Sequence, residues 1–154
     1  MKIKDIFINA VVTFFGSGYI RPLSATWGSL ASGLVLFAFW PFVDHWIKGV
    51  TIIITFIVGV FLSNYVERRD KMKDPKYIVI DEVVGMMLVT FFLGQVWQHW
   101  MIAFVLFRIF DVAKIWPSSI FDRRKGGFAL MIDDVIMALP ALALTHSLIP
   151  FLTL

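Results

Sequence analysis

Residues 83–107 read VVGMMLVTFFLGQVWQHWMIAFVLF, 25 positions without a charge, and whether this run is one helix or two decides the fold. A membrane-spanning helix needs about 20 apolar residues, within a range of about 17–25, so a single span fits by length. Gly94, Gln95, Gln98 and His99 in its middle argue instead for a turn. The flanks Ile78–Glu82 and Arg108–Lys114 then extend two short helices. Three further apolar runs, roughly 29–43, 50–66 and 135–154, lie on either side.

Charge placement favours two helices. Of 14 Lys and Arg, 13 fall in three groups: Lys2, Lys4 and Arg21; Arg68, Arg69, Lys71, Lys73 and Lys76; Arg108, Lys114, Arg123, Arg124 and Lys125. Only Lys48 stands apart. If residues 28–67 and 77–108 each run out and back, all 13 share one face, which the positive-inside rule makes cytoplasmic. Reading 83–107 as one span strands Arg108–Lys125 outside. The expectation is an all-α, polytopic membrane bundle over residues 1–154, one domain, with about five membrane-embedded helices near 27–44, 49–66, 78–94, 98–115 and 130–150. The amino terminus is inside and the carboxyl terminus outside. Ile3, Ile6, Phe7, Ala10, Val11 and Phe14 form an apolar stripe, which marks either an amphipathic helix on the inner surface or a helix packed on the bundle.

Composition agrees. Apolar residues make up 59% of the 154 and charged residues 16%, with a mean hydropathy of +0.82, against about 45–50% and about 25% in soluble domains. The net charge of +3 suits basic loops against anionic lipid. No basic stripe outside the apolar runs supports nucleic-acid binding. The absence of cysteine excludes thiol catalysis, disulfides and Cys-ligated zinc. Residues 1–20 lack the uninterrupted apolar core and cleavage site of a signal peptide, because Asp5 and Asn9 break them.

The same topology sends ten of the 11 acids to the basic face, leaving only Asp44 outside. Asp81-Glu82 and Asp133-Asp134 sit at the edges of apolar runs, and Asp111 reaches a similar depth. Ionised carboxylates there are costly unless a cation compensates them. Asp81 and Glu82 alone would also suit a helix amino terminus, where acids favour the dipole. That account does not cover Asp133-Asp134, enclosed by Met131-Ile132 and Val135-Ile136-Met137. Mg²⁺ takes hard oxygen ligands, often one or two carboxylates plus substrate phosphate. Adjacent residues on a helix point about 100° apart, so Asp81 and Glu82 cannot face one ion equally, and the expectation is that one binds directly while the other acts through water or organises the site. Arg108, Asp111 and Lys114 share one helix stripe; they fit either an anion site beside a metal or an internal salt-bridge ladder. Thr26-Trp27-Gly28-Ser29 opens the first long run, where hydroxyls and backbone donors can meet an anion or simply cap the helix. Asp122-Arg123-Arg124-Lys125 either receives phosphate or anchors the inner face. His45, His99 and His146 fall on the opposite side.

With these residues in view the chain resembles phosphatidylglycerophosphatase A, a bacterial inner-membrane lipid phosphatase family. The likeness runs from about Gly16 to Ile136 through Ile78–Met86, Phe107–Asp111 with Lys114 and Trp116-Pro117, Phe121–Arg123, Gly126-Gly127 and Ile132–Asp134. Two departures stand out: Ser24-Ala25 where the family has Pro-Gly before its threonine, and Ile115 where it has proline after the lysine. The resemblance implies Mg²⁺-dependent hydrolysis of phosphatidylglycerophosphate to phosphatidylglycerol and phosphate, the second step of phosphatidylglycerol synthesis. It also implies an active site on the cytoplasmic face. The expected catalytic residues are Asp81, Glu82, Asp111, Asp133 and Asp134. Asp81, Glu82, Asp133 and Asp134 are the candidate metal ligands, and Arg108, Lys114, Arg123 and Thr26 the candidate phosphate contacts. The expected partners are the phospholipid substrate and the bilayer; no signature specifies an oligomeric state.

The signatures of cysteine-dependent, haloacid-dehalogenase-type and histidine-dependent membrane phosphatases are absent. A second reading, a small cation or proton transporter using the buried acids, predicts carboxylates near mid-bilayer and a polar path to the outer face.

Overall fold

The computed structural model describes residues 3–113 and 126–152. Those residues form six α-helices and no strand: α1 (Ile3–Val12), α2 (Ser24–Phe39), α3 (His45–Asp70), α4 (Ile80–Val89), α5 (Trp97–Ala113) and α6 (Gly127–Leu152). Single 3₁₀ turns at Ser17–Tyr19 and Trp40–Phe42 lead into and out of α2. The 83–107 run is two helices, and its break falls at residues 90–96, around Gly94 and Gln95.

Three segments are long and apolar enough to cross a membrane: Ser24–Phe42, His45–Asp70 and Gly127–Phe151. By this measure the described residues support three spans, and α4 and α5, the other two expected, fall below it. Helix α4 has 10 residues, about 15 Å at 1.5 Å per residue, or half a hydrocarbon core of about 30 Å. It packs against α2, α3, α5 and α6. Ile80 to Met86 and Val89 are all buried. Non-spanning backbone is tolerated at membrane depth when protein surrounds it, and α4 meets that condition. Its apolar residues face other helices, which hydropathy alone cannot distinguish from facing lipid. Helix α5, with 17 residues, packs beside it on α6.

Close approach around α4 depends on small residues. A Cβ on Gly85 would collide with the ring of Phe107, itself fully buried on α5. A Cβ on Gly28 would lie 2.5 Å from the Val79 side chain, so α2 passes directly over the lead-in to α4. At the other end of α4, buried Lys48 donates from Nζ to the Phe91 carbonyl at 3.0 Å. The ammonium also lies 5.7 Å from the Trp40 ring. It thus satisfies a carbonyl just past the helix end, where the dipole is negative.

Helix α1 packs on the bundle, the second of the two expected roles. Ile8 and Val12 are buried, whereas Ile3 and Phe7 remain 86% and 69% exposed. Asp5 accepts from Tyr65 (3.2 Å) and pairs with Arg69 (3.7 Å) on α3. The Val79 amide donates to the Val12 carbonyl at 2.8 Å, tying the end of α1 to the start of α4. Tyr77, in the same lead-in, donates to Asp70. Burial, helped by that bond, pushes the phenol up to about 12, so it stays a neutral donor at physiological pH.

Candidate active site

Helices α2, α4 and α6 all begin at one cavity of about 380 Å³. Its wall takes Leu23–Thr26 from the start of α2, Ile78, Asp81 and Glu82 from the start of α4, and Gly126, Ala129, Leu130, Asp133 and Asp134 from the start of α6. Arg108 and Asp111 come from the last turns of α5, and Asp74 and Lys76 from the loop before α4. Each helix amino terminus carries partial positive charge and unpaired N–H groups. Three of them converging favour anions, whether the protein's own carboxylates or a bound phosphate.

Among the described residues, six carboxylates line this space (Asp74, Asp81, Glu82, Asp111, Asp133 and Asp134) against two cations, Lys76 and Arg108. Within it Glu82, Asp111 and Asp134 each offer an oxygen within 4.8 Å of the other two. Arg108 reaches into the group from the side: Nη1 donates to Glu82 Oε2 at 2.8 Å and pairs with Asp111 Oδ2 at 2.7 Å. Ser29 Oγ donates to the same Glu82 oxygen at 3.0 Å and lies 3.5 Å from Arg108 Nη1. One guanidinium among three carboxylates leaves the cluster negative. Among the described residues, buried Asp134 Oδ2 meets no donor and buried Arg108 Nε no acceptor. An orphaned acceptor and an orphaned donor in one cavity fit a cation beside an oxyanion. The residues present therefore suit a divalent metal.

Every sequence-expected site residue within the described segments lines this cavity: Thr26, Asp81, Glu82, Arg108, Asp111, Asp133 and Asp134. Lys114 and Arg123 lie outside the described residues. The metal-competent group is Glu82, Asp111 and Asp134, which includes Asp111 and leaves Asp81 and Asp133 beside it. Asp81 Oδ1 accepts the Glu82 amide at 3.1 Å. The sequence places Ser29 in the Thr26–Ser29 helix entry without assigning it a partner, and marks neither Asp74 nor Lys76 as a site residue. Ser29 sits one turn past Ala25, whose carbonyl oxygen, 3.0 Å away, is the alternative acceptor for its single hydroxyl hydrogen. Ser24 donates to the Lys76 carbonyl, so the loop and the start of α2 hold one another.

A family model described as Phosphatidylglycerophosphatase A matches residues 10–149. The chain belongs to the phosphatidylglycerophosphatase A family. It is 33% identical over 143 residues to a Phosphatidylglycerophosphatase A of Haemophilus influenzae, covering 92% of this chain and 88% of the relative. A Phosphatidylglycerophosphatase A of Escherichia coli is 34% identical over 127 residues, 79% of this chain and 72% of the relative. A Putative phosphatidylinositol-3-phosphatase of Bacteroides thetaiotaomicron is 30% identical over 143 residues, 88% and 89% respectively. No solved structure matches the chain. Membership in the phosphatidylglycerophosphatase A family makes this chain a phosphatase, and all six helices overlap the matched segment.

Proposed function

We propose that this protein hydrolyses the phosphomonoester of phosphatidylglycerophosphate to phosphatidylglycerol and inorganic phosphate, with Mg²⁺ as its metal, in the second step of phosphatidylglycerol synthesis. The observation that carries this reading is the meeting of Glu82, Asp111 and Asp134 around Arg108, in a cavity shared with the amino terminus of α2. Glu82, Asp111 and Asp134 would hold the ion, which when bound would supply Lewis-acid polarisation of the phosphoryl group and a lowered pKa for the attacking water. Arg108 keeps Glu82 and Asp111 oriented and offers Nε to a phosphate oxygen; its planar fork suits that geometry. The amides of Ser24, Ala25 and Thr26, the Thr26 hydroxyl and Lys76 receive the remaining oxygens. Asp81 or Asp133, beside the triad, accepts the proton from water. Lys114 and Arg123 complete the cationic set on sequence grounds.

The site end belongs at the cytoplasmic face of a bacterial inner membrane: Arg68, Arg69, Lys71, Lys73 and Lys76 gather there, as the positive-inside rule requires. The transporter reading needs a polar path leading away from the acids. A second cavity in that direction is lined by Leu30, Gly33, Leu34, Phe37, Met86, Trp97, Trp100, Met101 and Phe104, with no charged side chain, which favours the phosphatase.

The test is phosphate release by the purified protein in detergent, with phosphatidylglycerophosphate or phosphatidylinositol 3-phosphate, in Mg²⁺ and in EDTA. The expected result is Mg²⁺-dependent release, faster from phosphatidylglycerophosphate. Asp134→Asn should lower it by about 10²-fold or more, as for the loss of a charge-stabilising or general-base group. Release unaffected by EDTA would overturn the metal assignment; release from phosphatidylinositol 3-phosphate alone would overturn the substrate.

A further inference from the structure

The apolar cavity just described holds about 220 Å³, and its position along the helices is specific. Gly33 lies four residues after Ser29 on α2, Met86 four after Glu82 on α4, and Phe104 four before Arg108 on the antiparallel α5. Each is one helical turn beyond a residue of the carboxylate–arginine cluster. The two cavities therefore lie end to end in one cleft between α2, α4 and α5. The lower part is acidic and hydrogen-bonding, and the upper part has no charge. Trp100, at the far end, turns its indole N–H to the Gly94 carbonyl at 2.8 Å, so that polar group is satisfied outside the cleft. Phe37 packs edge-on against Trp100 with ring centroids 5.5 Å apart, forming the end wall.

We infer that this upper cleft binds one acyl chain of the phospholipid whose phosphate occupies the lower cavity. The inference rests on the lipid-phosphatase reading and adds the element that recognises the substrate's tail. Length supports it. From Arg108 to Trp100, at the wall, is 8 residues along α5, about 12 Å at 1.5 Å per residue. That is most of one leaflet's depth, which is half of a hydrocarbon core of about 30 Å. A tail entering beside the cluster thus ends near the Phe37–Trp100 wall. Ordinary boundary lipid has no reason to start at a phosphate site, whereas a substrate tail must. Gly33 keeps the entrance open: a Cβ there would already lie 3.1 Å from the Met86 methyl, and a larger side chain fills the passage.

The experiment measures kcat/KM on synthetic phosphatidylglycerophosphates with two six-carbon or two sixteen-carbon chains, at fixed surface fraction in mixed micelles. Gly33→Leu blocks the entrance and Phe37→Ala moves the end wall back. The wild-type protein is expected to hydrolyse both lipids and to favour the long one. Gly33→Leu should cut the long-to-short ratio about tenfold, as loss of burial for a few methylenes implies, while retaining short-chain turnover. Phe37→Ala should raise the ratio for eighteen-carbon over sixteen-carbon chains. Unchanged chain-length ratios in both variants, with short-chain activity intact, would refute the acyl-chain assignment and leave the phosphatase reading standing. If Gly33→Leu fails to fold, an unaltered profile in Phe37→Ala refutes it equally. Failure of the wild-type protein to hydrolyse either lipid would remove the phosphatase reading and this inference with it.

Discussion

Glu82→Gln is expected to lower turnover by about 10³-fold, the scale on which preorganised charge at a reacting centre acts. Glu82 is the hub of the site. One of its oxygens receives both Arg108 Nη1 and Ser29 Oγ, and the side chain is one of three that can share an ion. Glutamine preserves the volume but removes the charge, and it presents either a weaker acceptor or an amide N–H toward Arg108. Two readouts separate loss of the ion from loss of the fold. Without metal, the variant should melt at or above the wild-type temperature, because one of three crowded carboxylates has been neutralised. With Mg²⁺, the wild-type protein should gain stability as RT ln(1 + [L]/Kd), and the variant should gain little. A variant that keeps both wild-type turnover and the wild-type Mg²⁺-dependent shift would remove Glu82 from the ligand set.

The second large effect lies away from the chemistry. Gly85→Val should destabilise the bundle by about 1–3 kcal/mol or more, the usual cost of overpacking, because its Cβ alone meets the fully buried Phe107 ring. It should also reduce activity. Glu82 is one turn earlier on the same helix, so displacing α4 from α5 separates Glu82 from Asp111 and Arg108. Activity should fall even in the folded fraction. A double-mutant cycle with Phe107→Leu isolates the contact: the pair should recover part of the lost melting temperature and part of the turnover. Strictly additive losses would show that the Gly85–Phe107 contact does not set the α4–α5 distance.

Much of this site can be read from where charges interrupt apolar runs. Asp81-Glu82, Arg108 with Asp111, and Asp133-Asp134 each lie at such an edge, and each borders the same cavity. The break near Gly94 is legible because glycine and polar residues interrupt the run and because a single span would strand Arg108–Lys125 outside. The selection within each pair is not legible. Whether Asp81 or Glu82 reaches Asp111 depends on the rotation of α4, which the packing of Gly85 against Phe107 and of Val79 against Gly28 fixes. The partner of Ser29 and the place of Lys76 escape for a related reason, since each depends on a contact between residues 53 or 52 positions apart. The span count is hidden too. Hydropathy scores α4 as lipid-facing, and only the surrounding helices reveal that it is interior.

The brevity and burial of α4 bear on how the chain enters a membrane. A 10-residue segment that begins with isoleucine, aspartate and glutamate is too short and too charged at its start to partition into lipid by itself. Helix α3 and helix α6, at 26 residues each, have no such difficulty. Insertion is therefore led by the long helices, and α4 is drawn in by association with protein already there. Because Asp134 arrives only with α6, which follows α2 to α5 in the chain, the three carboxylates first meet once α6 has joined them. The metal-competent triad therefore assembles after the four helices that precede it.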